Sequence, residues 1–213
     1  MAYDHEEQEQ LDELKAWWKE YGNLVLLGIA AVAVAIAGFQ GWRQYQHGRS
    51  VAASTLFQQL EQAQTKGDHK KVIDLAGQIV SGYASTPYGT FAALSSAKAS
   101  FDTGDLTAAK TQLTWVMGNA KEDEVRDIAR LRLATVLLDE KKYDEALKQL
   151  DAKPVEPLAS LYSDLKGDVL AAQGKKAEAR NAYQFALDRS EPASPYRSIV
   201  QLKLDALGDA GKK

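Results

Sequence analysis

The sequence contains no cysteine, only three histidines and only five prolines among its 213 residues. Without cysteine the chain can form neither disulfides nor thiolate metal sites, and it cannot use a thiol in catalysis. The histidines, His5, His47 and His69, lie in three separate parts of the chain, so no pair has the spacing of metal ligands. The sequence also has no glycine-rich phosphate loop and no nucleophile motif. We therefore expect no catalytic residue, no metal and no cofactor, and we predict that the protein is not an enzyme.

A strongly basic region is also missing. Residues 1–20 carry seven acidic and two basic side chains, a net charge of −5, whereas residues 43–213 carry 24 basic and 22 acidic ones. Neither part offers the positive surface that attracts a phosphate backbone. We therefore expect no nucleic-acid partner.

The sequence does contain one long apolar run, from Tyr21 to Trp42, without a charged side chain. As a helix, these 22 residues would be roughly 33 Å long, and the hydrocarbon core of a bilayer is about 30 Å thick. The pattern predicts a transmembrane helix over residues 21–43. Aromatic side chains flank the run on both sides, as is typical of the two headgroup levels. The predicted membrane-interface residues are Trp17, Trp18, Tyr21, Trp42 and Tyr45.

Two alternatives to an uncleaved anchor are open at this point. Ala35-Ile36-Ala37 resembles the cleavage site of a secretion signal, and cleavage there would release a soluble repeat protein. A signal peptide starts with a short positive segment, however, whereas an acidic leader precedes this run. The second alternative, a core helix of a soluble protein, would need neither this length nor the flanking aromatic residues. We predict that the leader, residues 1–20, forms an acidic amphipathic helix that leads into the apolar run.

Basic residues near the run leave its orientation open. Lys15 and Lys19 precede it, and Arg43 and Arg49 follow it at a similar distance, so the count that normally marks the cytoplasmic side is a tie. On this count alone, the C-terminal part could also face the cytoplasm and serve there as a scaffold that assembles a complex at the membrane.

From residue 44 onwards the sequence is helical in its periodicity and repeats itself. Turn signals are centred on residues 67, 104, 141 and 174, at intervals of 37, 37 and 33 residues. Seven residues before each centre stand Leu60, Ala97, Ala134 and Gly167, and five residues after each centre stand Val72, Ala109, Ala146 and Ala179. Intervals of this size predict stacked helical hairpins. The closing run, Tyr196 to Leu207, is predicted to be a capping helix, and residues 208–213 are predicted to be a flexible tail.

The predicted fold is therefore all-α, with an N-terminal transmembrane helix followed by an α-solenoid of tetratricopeptide-like hairpins over residues 44–207. The last hairpin, LKGDVLAAQGKKAEARNAYQFAL, matches the tetratricopeptide pattern best. Lys153 departs from it, because the pattern has a small or apolar residue there, as Ala186 is in the next hairpin.

The whole chain resembles the YfgM-like family. The resemblance is carried by EEQEQLDELKAWWKEYG, the apolar run and GWR, followed by the tetratricopeptide-like repeats. It implies an inner-membrane protein of Gram-negative bacteria, with a cytoplasmic N-terminus and a periplasmic repeat domain. It further implies association with the SecYEG translocon and with a PpiD-like periplasmic chaperone, and assistance to unfolded exported proteins.

In the tetratricopeptide register, several apolar side chains are expected on the concave surface formed by the first helices of the hairpins. The predicted partner-binding residues are Phe57, Phe91, Leu94, Phe101, Leu131 and Leu138. An apolar surface of this kind suits extended or unfolded chains. The alternative is that several of these side chains fill the core. Recognition of a C-terminal carboxylate is not favoured, because among the positions used for it only Lys98 is suitable.

Overall fold

The computed structural model describes residues 3–208 of the chain, and their side chains from residue 11 onwards. Within this range the regular elements are α-helices and one short 3₁₀-helix, Glu156–Leu158, so the all-α prediction is confirmed. The helices are α1 (Tyr3–Thr65), α2 (His69–Tyr83), α3 (Pro87–Asp102), α4 (Leu106–Asn119), α5 (Asp123–Asp139), α6 (Tyr143–Leu150), α7 (Ala159–Ala172), α8 (Lys176–Asp188) and α9 (Pro195–Ala206). Except for Gly208, the predicted flexible tail at residues 208–213 lies outside the described residues.

The chain divides into two compact units, Met1–Val51 and Ala52–Lys213. In the second unit the helices form hairpins, in which we call the first helix helix A and the second helix B. The last part of α1 and α2 share one hydrophobic cluster, and α3/α4, α5/α6 and α7/α8 form the next three hairpins. Helices A of neighbouring hairpins also touch, α3 against α5 and α5 against α7. This is a tetratricopeptide-like α-solenoid, with α9 packed on α8 as the predicted capping helix.

Each hairpin turns at a residue with a left-handed backbone. The φ angles are 70° at Gly67, 81° at Gly104, 60° at Lys141 and 77° at Gly174, which are the four turn centres predicted from the sequence. Glycine adopts this conformation without steric cost, whereas a side chain at Lys141 crowds the backbone. The turn spacing is therefore set by backbone geometry at one residue in each repeat.

The two aspartates that follow glycine in the first two turns cap the next helix. The side chain of Asp68 accepts a hydrogen bond from the Lys71 N–H at 3.1 Å, and that of Asp105 accepts one from the Ala108 N–H at 2.9 Å. Such caps satisfy backbone donors that a helix start leaves free. Lys142 occupies the corresponding position in the third turn and makes no side-chain cap.

The small residues predicted between helices A and B are buried. Ala109, Ala146 and Ala179 have no exposed surface, and Ala97 and Ala134 are at most 2% exposed. Gly167 shows why small side chains are needed, because a Cβ atom there would overlap the aromatic ring of the buried Tyr183. The larger side chain on α8 thus requires the smallest residue on α7.

The third hairpin is irregular where Lys153 departs from the repeat pattern. Helix α6 has 8 residues, whereas α2, α4 and α8 have 15, 14 and 13. It ends at Leu150, and Pro154 follows in a segment without helix. Lys153 is exposed, so it lies beyond the short helix B instead of taking the buried position of Ala186 in α8.

Buried Asp127 on α5 anchors this irregular segment. Its carboxylate accepts a hydrogen bond from the Val155 N–H at 2.9 Å, and its backbone carbonyl accepts one from the Tyr162 hydroxyl at 2.8 Å. Burial, together with the nearby Asp127 carboxylate, raises the pKa of Tyr162 to about 12. Tyr162 therefore remains a neutral hydrogen-bond donor at any physiological pH.

Candidate functional site: an apolar anchor and the helix-A face

The apolar run lies in α1, and its side chains are exposed around the helix. Leu24, Leu27 and Val34 are 67%, 70% and 73% exposed. In the described part of the chain, this is the one helix long and apolar enough to cross a membrane. A core helix of a soluble protein would bury these side chains, so their exposure argues against that alternative. The helix fits a single-pass membrane anchor.

Aromatic residues lie at both ends of this run, as the sequence shows. The rings of Trp17 and Tyr21 approach with centroids 5.9 Å apart at one end. The predicted interface residues are all exposed, from 42% to 62%: Trp17, Trp18, Tyr21, Trp42 and Tyr45. Exposed rings with a polar atom suit the headgroup level. Their contact with a membrane interface remains a prediction.

We call the solvent-facing side of α1 from Ala52, α3 and α5 the helix-A face. Phe91 is 45% exposed there. The other predicted residues that reach this face are partly buried: Phe57, Phe101, Leu131 and Leu138. Phe57 packs on Tyr88 with ring centroids 5.5 Å apart. These four side chains therefore contribute to the core and to the surface at the same time.

Leu94 differs from the other predicted partner-binding residues because it is buried. It is 7% exposed and belongs to the hydrophobic cluster that α3 shares with α4 and α5. Residues of α4 and α5 belong to the same cluster. Its side chain packs in the core, which is the alternative interpretation that the sequence left open, and it is not available to a partner.

A cavity of about 220 Å³ opens on the helix-A face between α3 and α5. Phe101, Leu113 and Val136 supply apolar surface, and Lys98, Arg132 and Thr135 supply polar groups. The Lys98 ammonium pairs with Asp102 on its own helix at 2.7 Å. We call this cavity the Arg132 pocket.

Sequence reasoning did not identify Arg132, because α5 carries three arginines that look alike in the sequence. Packing separates them: Arg126 pairs with Asp123, and Arg130 pairs with buried Asp127 at 2.7 Å. Among the described residues no carboxylate pairs with Arg132. A weak signal was present, since neither Asp nor Glu stands three or four residues before or after Arg132 in the sequence.

The capping helix α9 binds two carboxylates of the last helix A, α7. Lys203 of α9 contacts two carboxylates of α7, Asp164 at 2.9 Å and Asp168 at 2.7 Å. Tyr196 of α9 donates a hydrogen bond to Asp164 at 2.7 Å, and Tyr183 of α8 donates one to Asp168 at 2.8 Å. We call these five residues the cap clasp.

The pKa directions in the cap clasp match its geometry. Burial and a hydrogen bond to a carboxylate raise the pKa of both Tyr183 and Tyr196 above the ordinary tyrosine value. Burial lowers the pKa of Lys203, but its hydrogen bonds to Asp168 and Asp164 outweigh this effect and leave the pKa raised. All three groups keep their protons at neutral pH, so the clasp is intact there.

Comparison with known proteins supports this architecture. A family model described as a tetratricopeptide repeat-like domain matches residues 15–209. A Neisseria gonorrhoeae protein named "Ancillary SecYEG translocon subunit" is 34% identical over 211 residues, which cover 97% of this chain and 100% of the relative. A Haemophilus influenzae protein of the same name is 27% identical over 207 residues, again 97% of this chain and 100% of the relative.

Among solved structures, MamA 41-end from Desulfovibrio magneticus RS-1 superposes with a TM-score of 0.55. The match covers 73% of this chain and 88% of that chain, at 17% sequence identity, so it shows the shared helical-repeat fold alone. The relatives, which match over their full length, and the matched domain together identify the family. The chain therefore belongs to the YfgM-like family, a non-catalytic family with a tetratricopeptide repeat-like fold.

Proposed function

We propose that this protein is a single-span inner-membrane protein that associates with the SecYEG translocon as an ancillary subunit. The observation that carries the proposal is the 34% identity, over the full length, to a protein named for that role. The exposed apolar helix supports it, because a translocon partner must reside in or at the membrane.

The proposed organisation follows the sequence. Residues 1–20 form a cytoplasmic leader, residues 21–43 cross the membrane, residues 44–207 form a periplasmic repeat domain, and residues 208–213 form a tail. In this orientation the repeats meet proteins as they leave the translocon. The domain would link the translocon to a PpiD-like periplasmic chaperone and assist unfolded exported proteins.

The helix-A face is the proposed docking surface for these partners. Phe91 supplies an exposed aromatic side chain, and Phe101, Leu131 and Leu138 supply partly exposed apolar surface elsewhere on this face. Aromatic and aliphatic anchors of this kind commonly dominate the binding energy of an interface. The exposed part of the surface suits an extended apolar segment.

Orientation and anchoring can be tested together with a C-terminal epitope in intact spheroplasts. We expect external protease to remove the epitope and to leave a small N-terminal fragment in the membrane fraction. Full protection until the inner membrane is breached would place the repeats in the cytoplasm and contradict the proposal. A soluble, full-length repeat domain without the apolar helix would instead indicate cleavage after Ala37.

Partner binding can be tested with two aspartate substitutions at equally exposed phenylalanines. Phe91 on the helix-A face is 45% exposed, and Phe185 on α8 is 47% exposed. We expect Phe91→Asp to reduce crosslinking to the translocon and its chaperone severalfold, with helical content unchanged. Phe185→Asp is the matched control and should leave crosslinking intact. Equal crosslinking by both folded variants would show that the helix-A face is not the docking surface.

A further inference from the structure

Arg132 is a charged side chain that stands in the Arg132 pocket without a counter-ion. The residue is exposed, yet neighbouring atoms partly desolvate its guanidinium and lower its pKa below the ordinary value for arginine. It stays protonated at physiological pH, because an arginine pKa remains far above neutrality. A partly desolvated cation without a carboxylate costs free energy that an acidic partner would recover.

The charge balance of the pocket leaves one positive charge. Two cations line the pocket, Lys98 and Arg132, and Lys98 is neutralised by Asp102 on its own helix. Arg132 is therefore the cation of the pocket that has no pairing partner in the described chain. A ligand that matches this surface brings one carboxylate.

The apolar part of the pocket sets a second requirement. Its volume of about 220 Å³ and its surface of Phe101, Leu113 and Val136 suit one aliphatic or aromatic side chain. Burying such a side chain contributes about 1.5–3 kcal/mol in general. The ligand therefore combines an apolar side chain with a neighbouring carboxylate.

The cap clasp shows how this fold satisfies a charge on helix A. There, Lys203 of α9 reaches two aspartates of α7, at 2.9 and 2.7 Å. In the Arg132 pocket the helix carries the cation, and the described chain supplies no segment with the complementary charge. A carboxylate that pairs with Arg132 would then come from another molecule.

We propose that the Arg132 pocket recognises an acidic side chain of a bound polypeptide, next to an apolar residue that enters the pocket. This inference rests on the proposed partner-binding role of the helix-A face and specifies the chemistry of the partner. The carboxylate accepts hydrogen bonds from the guanidinium, whose planar fork matches both of its oxygens. The apolar neighbour packs against Phe101 and Val136.

An internal acidic side chain fits better than a C-terminal carboxylate. Gripping a chain terminus requires several donors around one carboxylate, and here the Lys98 ammonium is already paired with Asp102. One free guanidinium matches one side-chain carboxylate, and the flanking polypeptide can continue in both directions along the surface.

The test uses the full chain in lipid nanodiscs and short fluorescent peptides with blocked ends. Three peptides are identical except that a photoreactive leucine is followed by glutamate, glutamine or lysine. A fourth peptide ends at the photoreactive leucine with a free C-terminal carboxylate. Binding is measured by anisotropy, and crosslinks are mapped by mass spectrometry.

We expect the glutamate peptide to bind about tenfold more tightly than the glutamine peptide, as one charge-assisted hydrogen-bonded pair predicts. Arg132→Gln should remove this preference, and Arg132→Glu should transfer it to the lysine peptide. Crosslinks should fall on α3, α4 and α5. Lys70→Gln, which removes an exposed charge from α2, is the matched control and should keep the wild-type preference.

No preference in the wild type, or a preference that survives Arg132→Gln, would overturn the inference. Preferred binding of the free-carboxylate peptide would overturn it as well, in favour of terminus recognition. These results are separable from the proposed function. If Phe91→Asp still impairs crosslinking to the translocon, the docking surface stands and only the acidic specificity fails. If neither Phe91 nor Arg132 variants alter crosslinking, the proposed docking surface fails too.

Discussion

The cap clasp and the Arg132 pocket are two solutions to the same packing problem. In both, a charged side chain of a helix A lies beside a neighbouring layer of the solenoid, which is α9 for α7 at the clasp and α3 for α5 at the pocket. At the clasp, α9 supplies Lys203 and Tyr196 to the carboxylates of α7. At the pocket, α5 leaves Arg132 unpaired beside apolar surface within the described chain. The first arrangement covers the end of the solenoid, and the second leaves a cation without a paired carboxylate.

This difference separates residues that stabilise the fold from residues that serve binding. Charged groups that are partly buried and paired support stability, and their removal strands the partner charge. A cation without a carboxylate partner makes no ion pair that its substitution could break, so its removal should cost little stability. The comparison therefore predicts opposite responses to substitution at the two places.

The largest change in the free energy of unfolding is expected in the α7/α8 hairpin, which carries three residues of the clasp. Gly167→Ala should destabilise the domain by about 3 kcal/mol, because the added Cβ collides with the buried ring of Tyr183. Urea unfolding of the full chain in mild detergent, followed by circular dichroism, measures the change.

The α3/α4 hairpin suggests a second substitution that should offset the destabilisation by Gly167→Ala. In α3/α4, Ala97 and Leu113 share one buried cluster and stand at the same distances from the turn as Gly167 and Tyr183 do in α7/α8. Gly167→Ala combined with Tyr183→Leu therefore reproduces a pair that the chain already uses. The double variant should be less destabilised than the sum of the two single variants by at least about 1 kcal/mol. Strict additivity would show that the ring does not cause the requirement for glycine.

A smaller effect is expected when the clasp itself is broken. Lys203→Met should cost about 2 kcal/mol, because it leaves Asp164 and Asp168 close together with 11% and 28% of their side chains exposed. Amide hydrogen exchange in α9 should speed up accordingly. Lys98→Met is the comparison at the pocket, where the pair is 57% and 30% exposed, and should cost about 0.5 kcal/mol or less. Similar losses of stability in Lys203→Met and Lys98→Met would contradict the distinction between a stabilising clasp and a binding pocket.

The smallest effect is expected at Arg132. Arg132→Leu should leave the free energy of unfolding unchanged within about 0.5 kcal/mol or raise it slightly, because it removes a partly desolvated cation that has no partner. The same urea titration measures it. A loss above about 1 kcal/mol would mean that Arg132 stabilises the fold and that its position is not explained by binding.

The hairpin layout could be predicted from the sequence because it depends on local signals. Each turn needs one residue with positive φ, and glycine marks three of the four, with Lys141 at the predicted interval in the third. The small residues stand at fixed sequence separations from the turn, so one register locates both helices. The apolar run could be recognised for a similar reason, since length and absence of charge are properties of a continuous segment.

The candidate site was harder to predict because it depends on pairs of residues far apart in the sequence. Nothing local distinguishes Leu94 from Leu131, yet tertiary packing buries the first and leaves the second partly exposed. Arg126 and Arg130 have acidic residues three positions before them, and this local pairing separates them from Arg132 only once α5 is known to be a helix.

The short helix α6 has a consequence for motion. It contributes two buried side chains, Ala146 and Leu150, and the irregular segment after it depends on Asp127 for its attachment to α5. Solenoids transmit order only between neighbouring units, so a weak unit in the middle limits how far cooperativity extends. Local opening should therefore begin at α6, inside the stack, and not at the terminus that α9 protects. The domain would then behave as two foldons that meet at its third hairpin, α5/α6.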